Sequence, residues 1–124
     1  MQLDIDPDRL RQVVINLVDN AAQAMAEMPA DAAHDRALTV STRQVGDVAH
    51  ICFVDTGPGI APDVLPKVFE PLFSTRGFGT GLGLPTVRQI VEQHGGTVDI
   101  ASEPGVGTQV LITLAVAPAG ELAA

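Results

Sequence analysis

Between Arg9 and Met28 the apolar residues Leu10, Val13, Val14, Leu17, Val18, Ala21 and Met25 return at intervals of three and four. That period predicts a helix with one apolar stripe. Asp6 or Asp8 can cap its start, and Pro7 suits its first turn. The stretch ahead of it, Met1 to Asp6, reads as a short edge strand. After a polar, proline-ended loop from Pro29 to Asp35 the period changes to two. Ala37 to Val45 and Val48 to Val54 alternate as strands about a Gly46-Asp47 hairpin turn. A turn from Gly57 to Pro62, a short helix from Pro62 to Val68 and a loop from Phe69 to Thr80 follow. Helical spacing returns from Gly81 to His94 and stops at Gly95-Gly96. Thr97 to Ala101 and Gln109 to Val116 are strands joined by the turn Glu103-Pro104-Gly105-Val106-Gly107, and the tail from Ala117 to Ala124 frays.

The order is strand, helix, two strands, loop, helix, two strands. Neighbouring strands can pair as hairpins, and both long helices are apolar on one side only. The expected fold is therefore α/β: a two-layer sandwich, with a mixed, mostly antiparallel sheet covered on one face by helices. With 124 residues the chain suits one domain, residues 1–117, followed by a flexible tail at 118–124. A chain of this length buries roughly 65% of its unfolded surface, enough for one core.

Composition narrows the function. Hydrophobic residues make up 46% and the net charge is −8, with seven scattered basic residues. Nucleic acid is excluded as a partner, because phosphate backbones are met by clustered cations. No apolar run approaches the ~20 residues that cross a bilayer. The acidic N-terminus shows no secretory signal, and the fragment is expected outside the membrane, in the cytoplasm. The single cysteine, Cys52, lies in an apolar run and reads as a buried structural thiol.

The chemistry lies in three motifs. Gly77-Phe78-Gly79-Thr80-Gly81-Leu82-Gly83-Leu84 places four glycines at every second position ahead of a helix. Backbone N–H groups in such a loop, with the positive end of the helix dipole, form an anion cradle. The spacing is not G-x-G-x-x-G and no Gly-Lys-Ser/Thr follows, so neither a dinucleotide fingerprint nor a P-loop is present. On the first helix Asn16, Asn20 and Gln23 form a polar stripe beside the apolar one. Their neutral amide oxygens suit Mg²⁺ and do not repel phosphate, and two asparagines a turn apart in mid-helix are poor helix formers that need a reason. Asp55 ends an apolar strand and opens the turn Thr56-Gly57-Pro58-Gly59. A carboxylate there can accept a hydrogen bond from the exocyclic amine of adenine and would reject guanine, which offers a carbonyl. Thr56 could reach the same ring through a water. Phe69, Phe73 and Phe78, three of the four aromatic residues, can pin the loop to the core, and Arg76 is its one cation. His34, His50 and His94 share no metal-ligand spacing, and His94 suits a helix C-terminus.

Together these motifs resemble the catalytic, ATP-binding domain of sensor histidine kinases, in the superfamily shared with gyrase, heat-shock chaperone ATPases and mismatch-repair ATPases. The resemblance runs from about Asp4 to Leu114. It rests on an N box in Asp8 to Met25, a first glycine box in Asp55 to Ile60, an F box in Val68 to Phe73 and a second glycine box in Gly77 to Leu84, in the family's order. Asn20-Ala21-Ala22-Gln23-Ala24-Met25 with Phe73-Ser74-Thr75-Arg76 is similar to the nitrogen-regulation type. The resemblance implies that Asn16 coordinates Mg²⁺, that Asn20 contacts phosphates or metal, and that Asp55 binds adenine with Thr56 near it. It implies that Gly57, Gly59 and Ile60 shape the pocket and that Gly79, Thr80, Gly81, Leu82, Gly83 and Leu84 form the phosphate loop. Residues 74–80, with Phe73 before them, would be a short lid. Gln23 stands where many relatives carry lysine, which leaves Arg76 to supply positive charge. Gln12 stands where hydrolytic relatives carry a glutamate base, so hydrolysis should be slow. The implied function is transfer of the ATP γ-phosphate to a histidine on a separate dimerisation domain, with a response regulator as indirect partner. The alternatives are a serine-kinase anti-sigma factor and a non-catalytic interaction module of the same fold.

Overall fold

The computed structural model describes residues 5–26, 28, 36–70 and 83–116. Helix α1 (Pro7–Ala26) opens on a side-chain cap, with Asp6 Oδ1 accepting the Asp8 N–H at 2.9 Å. Pro7 takes the first helical position, where its missing N–H costs nothing. Val13, Leu17 and Ala21, at four-residue spacing, are its buried stripe. Strands β1 (Leu38–Val45) and β2 (Val48–Asp55) form a hairpin about Gly46-Asp47, which starts one residue later and ends one residue later than the strand pattern predicts. A single 3-10 turn (Leu65–Lys67) replaces the longer helix expected from Pro62. Helix α2 (Gly83–Gln93) buries Leu84, Val87, Ile90 and Val91, and β3 (Thr97–Glu103) and β4 (Gly107–Ala115) form a second hairpin.

The two hairpins join through β2 and β4, so the sheet order is β1-β2-β4-β3. All three described pairings are antiparallel. No parallel pair occurs among the described residues, and the strand expected at Met1 to Asp6 lies mostly outside them. Cross-strand partners share a face. The row Val40, Phe53, Val110 and Ile100 and the row Thr42, Ile51, Ile112 and Val98 therefore lie on the helix-covered side. Val13, Phe53, Val87, Ile90, Ile112 and Leu114 anchor the core between this face and the two helices. Each such side chain contributes on the order of 1.5–3 kcal/mol on burial.

Register corrects one expectation. Cys52 pairs with Ser41 and Leu111 on the opposite, uncovered face and is half-buried, so it is not a core thiol. The apolar run around it is the sum of two alternating faces, of which only Ala49, Ile51 and Phe53 meet the helices.

Beyond α2, Gly95 takes a positive φ and the Gly96 N–H returns to the Val91 carbonyl, closing the helix as the glycine pair predicts. His94 does more than face the helix dipole. Its Nδ1 meets the Ile90 carbonyl at 2.8 Å and its Nε2 accepts the Asp6 N–H at 3.3 Å, so one ring links the end of α2 to the start of α1.

Candidate nucleotide-binding site

A cleft enclosing about 500 Å³, its open mouth included, lies between α1 and the sheet. Leu17, Ala21 and Ala24 line it from α1, Leu38, Phe53, Ile100 and Val110 from the strands, and Leu84 from α2. These walls are apolar. Among the described residues its polar lining is Asp55 and Thr108 from the strands and Asn20 from α1. An apolar pocket with a small number of placed polar groups is the usual form of a small-molecule site.

Asp55 is the last residue of β2, where the strand gives way to the glycine turn. Its Oδ1 accepts the Gly57 N–H at 2.8 Å, and the Thr108 N–H is a second backbone donor to the carboxylate. Burial raises the Asp55 carboxyl above the ordinary aspartate value, and the Gly57 and Thr108 hydrogen bonds offset part of that rise. Gly57 is buried beneath this carboxylate and does not itself line the cleft. Gly59 and Ile60 do line it. Gly59 has φ +77°, and a Cβ there would run into the Glu103 carbonyl. The Gly105 N–H donates to the Pro58 carbonyl at 2.8 Å, and the Ile60 N–H donates to Ser102 Oγ at 2.7 Å. The turn joining β3 and β4 therefore braces the glycine turn from behind. At Gly107 the two segments touch so closely that a Cβ would collide with the Asp55 carbonyl.

Asn16 and Asn20 stand a turn apart on α1, both half-buried. Asn16 Nδ2 donates to the Gly83 carbonyl at 3.3 Å, and Asn16 Oδ1 accepts from Gln12 Nε2 at 2.7 Å. A Cβ at Gly83 would approach the Asn20 amide at 3.1–3.2 Å. The Asn stripe thus meets the end of the glycine box where α2 begins. Among the described residues no group of three or more His, Cys, Asp or Glu is placed to hold a metal. Any cation here would rely on amide oxygens and on oxygens brought by the ligand. Asn16 Oδ1 keeps a second lone pair for that purpose, so the donor set fits a weakly held, hard ion such as Mg²⁺.

Thr56 stands apart from the cleft. Its Oγ1 accepts the Ala37 N–H at 2.8 Å and lies 3.9 Å from Met25 Sδ, while its own N–H donates to the Ala37 carbonyl. It ties β2 to the start of β1. Arg36 beside it donates to the Met25 and Met28 carbonyls at 2.9 and 2.8 Å, closing the C-terminal end of α1. Phe69 is half-buried against the core, with the Arg88 guanidinium 5.3 Å from its ring centre. Phe73, Arg76, Gly79, Thr80, Gly81 and Leu82 lie outside the described residues, as does Phe78. Sequence reasoning missed Thr108 and Ser102, which fell between the expected strands and their turn and which the structure places on β4 and β3. The one available signal was their position on either side of the Glu103–Gly107 turn.

The model for the histidine kinase-, DNA gyrase B- and HSP90-like ATPases matches residues 5–118. The chain belongs to this ATPase family. Among curated relatives, the sensor histidine kinase ZraS of Escherichia coli K12 is 42% identical over 115 residues, covering 93% of this chain and 23% of ZraS. The sensor protein SrrB of Staphylococcus aureus is 42% identical over 115 residues, covering 88% of this chain and 18% of SrrB. The chain thus spans less than a quarter of the length of these relatives. Among solved structures, the catalytic domain of histidine kinase ThkA superposes with a TM-score of 0.75 at 28% identity, covering 92% of this chain and 71% of that one. The mycobacterial sensor histidine kinase MprB gives 0.74 at 34% identity, covering 91% and 74%. Full-length ShkA in complex with AMPPNP gives 0.73 at 29% identity, covering 90% of this chain and 22% of that one. Within the ATPase family the chain is of the ATP-binding, catalytic-domain type found in sensor histidine kinases. No helix among the described residues is long and apolar enough to cross a membrane.

Proposed function

We propose that the cleft holds ATP with its adenine against Asp55, its phosphates at the Asn face of α1, and its γ-phosphate presented to a histidine on a separate dimerisation domain. The observation that carries this reading is the pairing of one fixed carboxylate with an apolar slot that Asn20 and Leu84 also line, next to the Asn16–Gly83 hydrogen bond. Asp55 accepts the exocyclic amine of adenine. Gly59 and Ile60 form one wall of the slot, Gly57 holds the carboxylate and Thr56 braces the strand end. Asn20 meets the phosphates, with backbone N–H groups of Gly79, Gly81 and Gly83 as further donors. Asn16 would hold Mg²⁺, which supplies neutralisation of phosphate charge. Phe73, Arg76, Thr80 and Leu82 belong to the lid and phosphate loop on the strength of sequence order. Leu84 is buried in the first turn of α2.

Such a site works by positioning and electrostatics. The acceptor nitrogen attacks the γ-phosphorus, the bond to the β,γ-bridging oxygen breaks, and ADP leaves. Among the described residues that line the cleft the one acid is Asp55, which this reading gives to adenine. Gln12, which bonds to Asn16, is a neutral amide and cannot take a proton. Its presence supports a phosphate reserved for another nucleophile. A response regulator would receive the phosphate afterwards. The test is to mix this chain with ATP, Mg²⁺ and a separately made histidine-bearing helical domain. Acid-labile phosphate on the helical domain is expected. Tight ATP binding with no transfer, or acid-stable phosphate on a serine of a partner, would overturn the assignment to histidine.

A further inference from the structure

One hydroxyl sits at the crossing of three segments behind the cleft. Ser102 Oγ, half-buried on β3, accepts the Ile60 N–H at 2.7 Å, meets the Gly107 carbonyl at 3.0 Å and meets Thr108 Oγ1 at 3.0 Å. A serine hydroxyl has one proton and two lone pairs. The Ile60 N–H can only donate, so it takes one lone pair. The Gly107 carbonyl can only accept, so it takes the proton. The contact with Thr108 then has one solution: the Thr108 hydroxyl donates to the remaining lone pair of Ser102. Its only proton is committed to a partner behind the cleft. Thr108 lines the cavity beside Asp55, and its Oγ1 has lone pairs alone to offer there.

We propose that Ser102 is a positioning residue that sets base specificity: by holding the Thr108 proton, it makes the polar end of the cleft accept hydrogen bonds and donate none. This rests on the reading of that end as the purine site. The exocyclic amine at the purine 6-position has two N–H bonds, one for each of the acceptors Asp55 and Thr108. A carbonyl in its place has none, and would leave two buried acceptors facing a third. Without the Ser102 hydroxyl, the Thr108 O–H is free to turn into the cleft and donate to a carbonyl there. Discrimination between the two edges then weakens, although no atom that touches the base has been changed.

Calorimetric titration of the chain with ATP and with inosine triphosphate, each with Mg²⁺, tests this, because the two ligands differ only at the purine 6-position and the adjacent ring nitrogen. The wild-type chain should favour ATP. Ser102→Ala should narrow the ratio about tenfold, and Ser102→Thr, which keeps a hydroxyl, should return it toward the wild-type value. Thr108→Val should narrow the ratio likewise, and adding Ser102→Ala to it should narrow it no further, because Ser102 acts through Thr108. Should Ser102→Ala not fold, Thr108→Ser against Thr108→Val carries the test, the first holding the ratio and the second lowering it. Equal ratios in that pair, or parallel weakening of both nucleotides by Ser102→Ala with the ratio intact, would reduce Ser102 to a brace and overturn the proposal. Equal binding of ATP and inosine triphosphate by the wild-type chain would overturn the Asp55 reading itself.

Discussion

The two ends of the cleft are built differently. At the Asp55 end the chain doubles back on itself. Two backbone N–H groups hold the carboxylate, and a hairpin turn is locked to a glycine turn by backbone and Ser102 hydrogen bonds. At the Asn16 end, among the described residues, one 3.3 Å hydrogen bond between residues 67 apart in sequence joins two helix surfaces. The first end is shaped before a ligand arrives. The second offers neutral amides whose arrangement a ligand and ion can complete. A base needs a fixed edge to be recognised, whereas a phosphate chain is held by charge and by many weak donors.

Substituting the locked end should therefore cost stability, and substituting the open end should cost only binding. The largest effect is expected from Gly107→Ala, whose methyl has no room against the Asp55 carbonyl. It should lower stability by about 3 kcal/mol or more in denaturant unfolding. Gly105→Ala in the same turn meets open space and carries only the strain of a positive φ, so it should lose about 1 kcal/mol. Similar losses for the two would break the picture of a locked end.

Asn16→Ala comes next. It should leave the melting temperature within a few degrees of wild type while weakening Mg²⁺-dependent ATP binding roughly tenfold. A large fall in melting temperature would show that the Asn face is a structural joint. Arg36→Ala, which frees two carbonyls at the end of α1, should lower stability by about 1 kcal/mol, again read by unfolding.

The smallest effect concerns pH. Asp55 is raised by burial, so folding favours its protonated form. The associated stability is fully present below the ordinary aspartate value and is lost as pH rises through the raised one. In the empty protein, Asp55→Asn should then leave stability at neutral pH unchanged or slightly higher. For the wild type, ATP affinity should fall as acid protonates the carboxylate through that same raised value. A clearly less stable Asp55→Asn chain would mean that the charge holds the fold together rather than awaiting a ligand.

Sequence legibility follows the same division. α1, α2 and the four described strands came from periods of 3.6 and 2, because burial on one face is a local pattern. Asp55, the glycine turn and the Asn stripe could be proposed from the sequence because their residue types are costly where they stand unless they serve chemistry. Asparagines in mid-helix and a carboxylate at the end of an apolar strand are cases of this. Three things were not legible, and each depends on which distant segment lies opposite. Cys52 looked like core because register decides which face of β2 is covered. Thr56 was expected near the ring, and nothing local shows that its hydroxyl accepts the Ala37 N–H. Ser102 and Thr108 looked ordinary because their importance comes from Ile60 and Asp55, far off in the chain.

The most direct test of the central claim is calorimetric titration of the wild-type chain and of Asp55→Ala with ATP and Mg²⁺ at neutral pH. Measurable binding by the wild-type chain and its loss in Asp55→Ala, with a near-native circular dichroism spectrum, is the predicted result. Near-native affinity in Asp55→Ala would contradict the placement of adenine at this carboxylate.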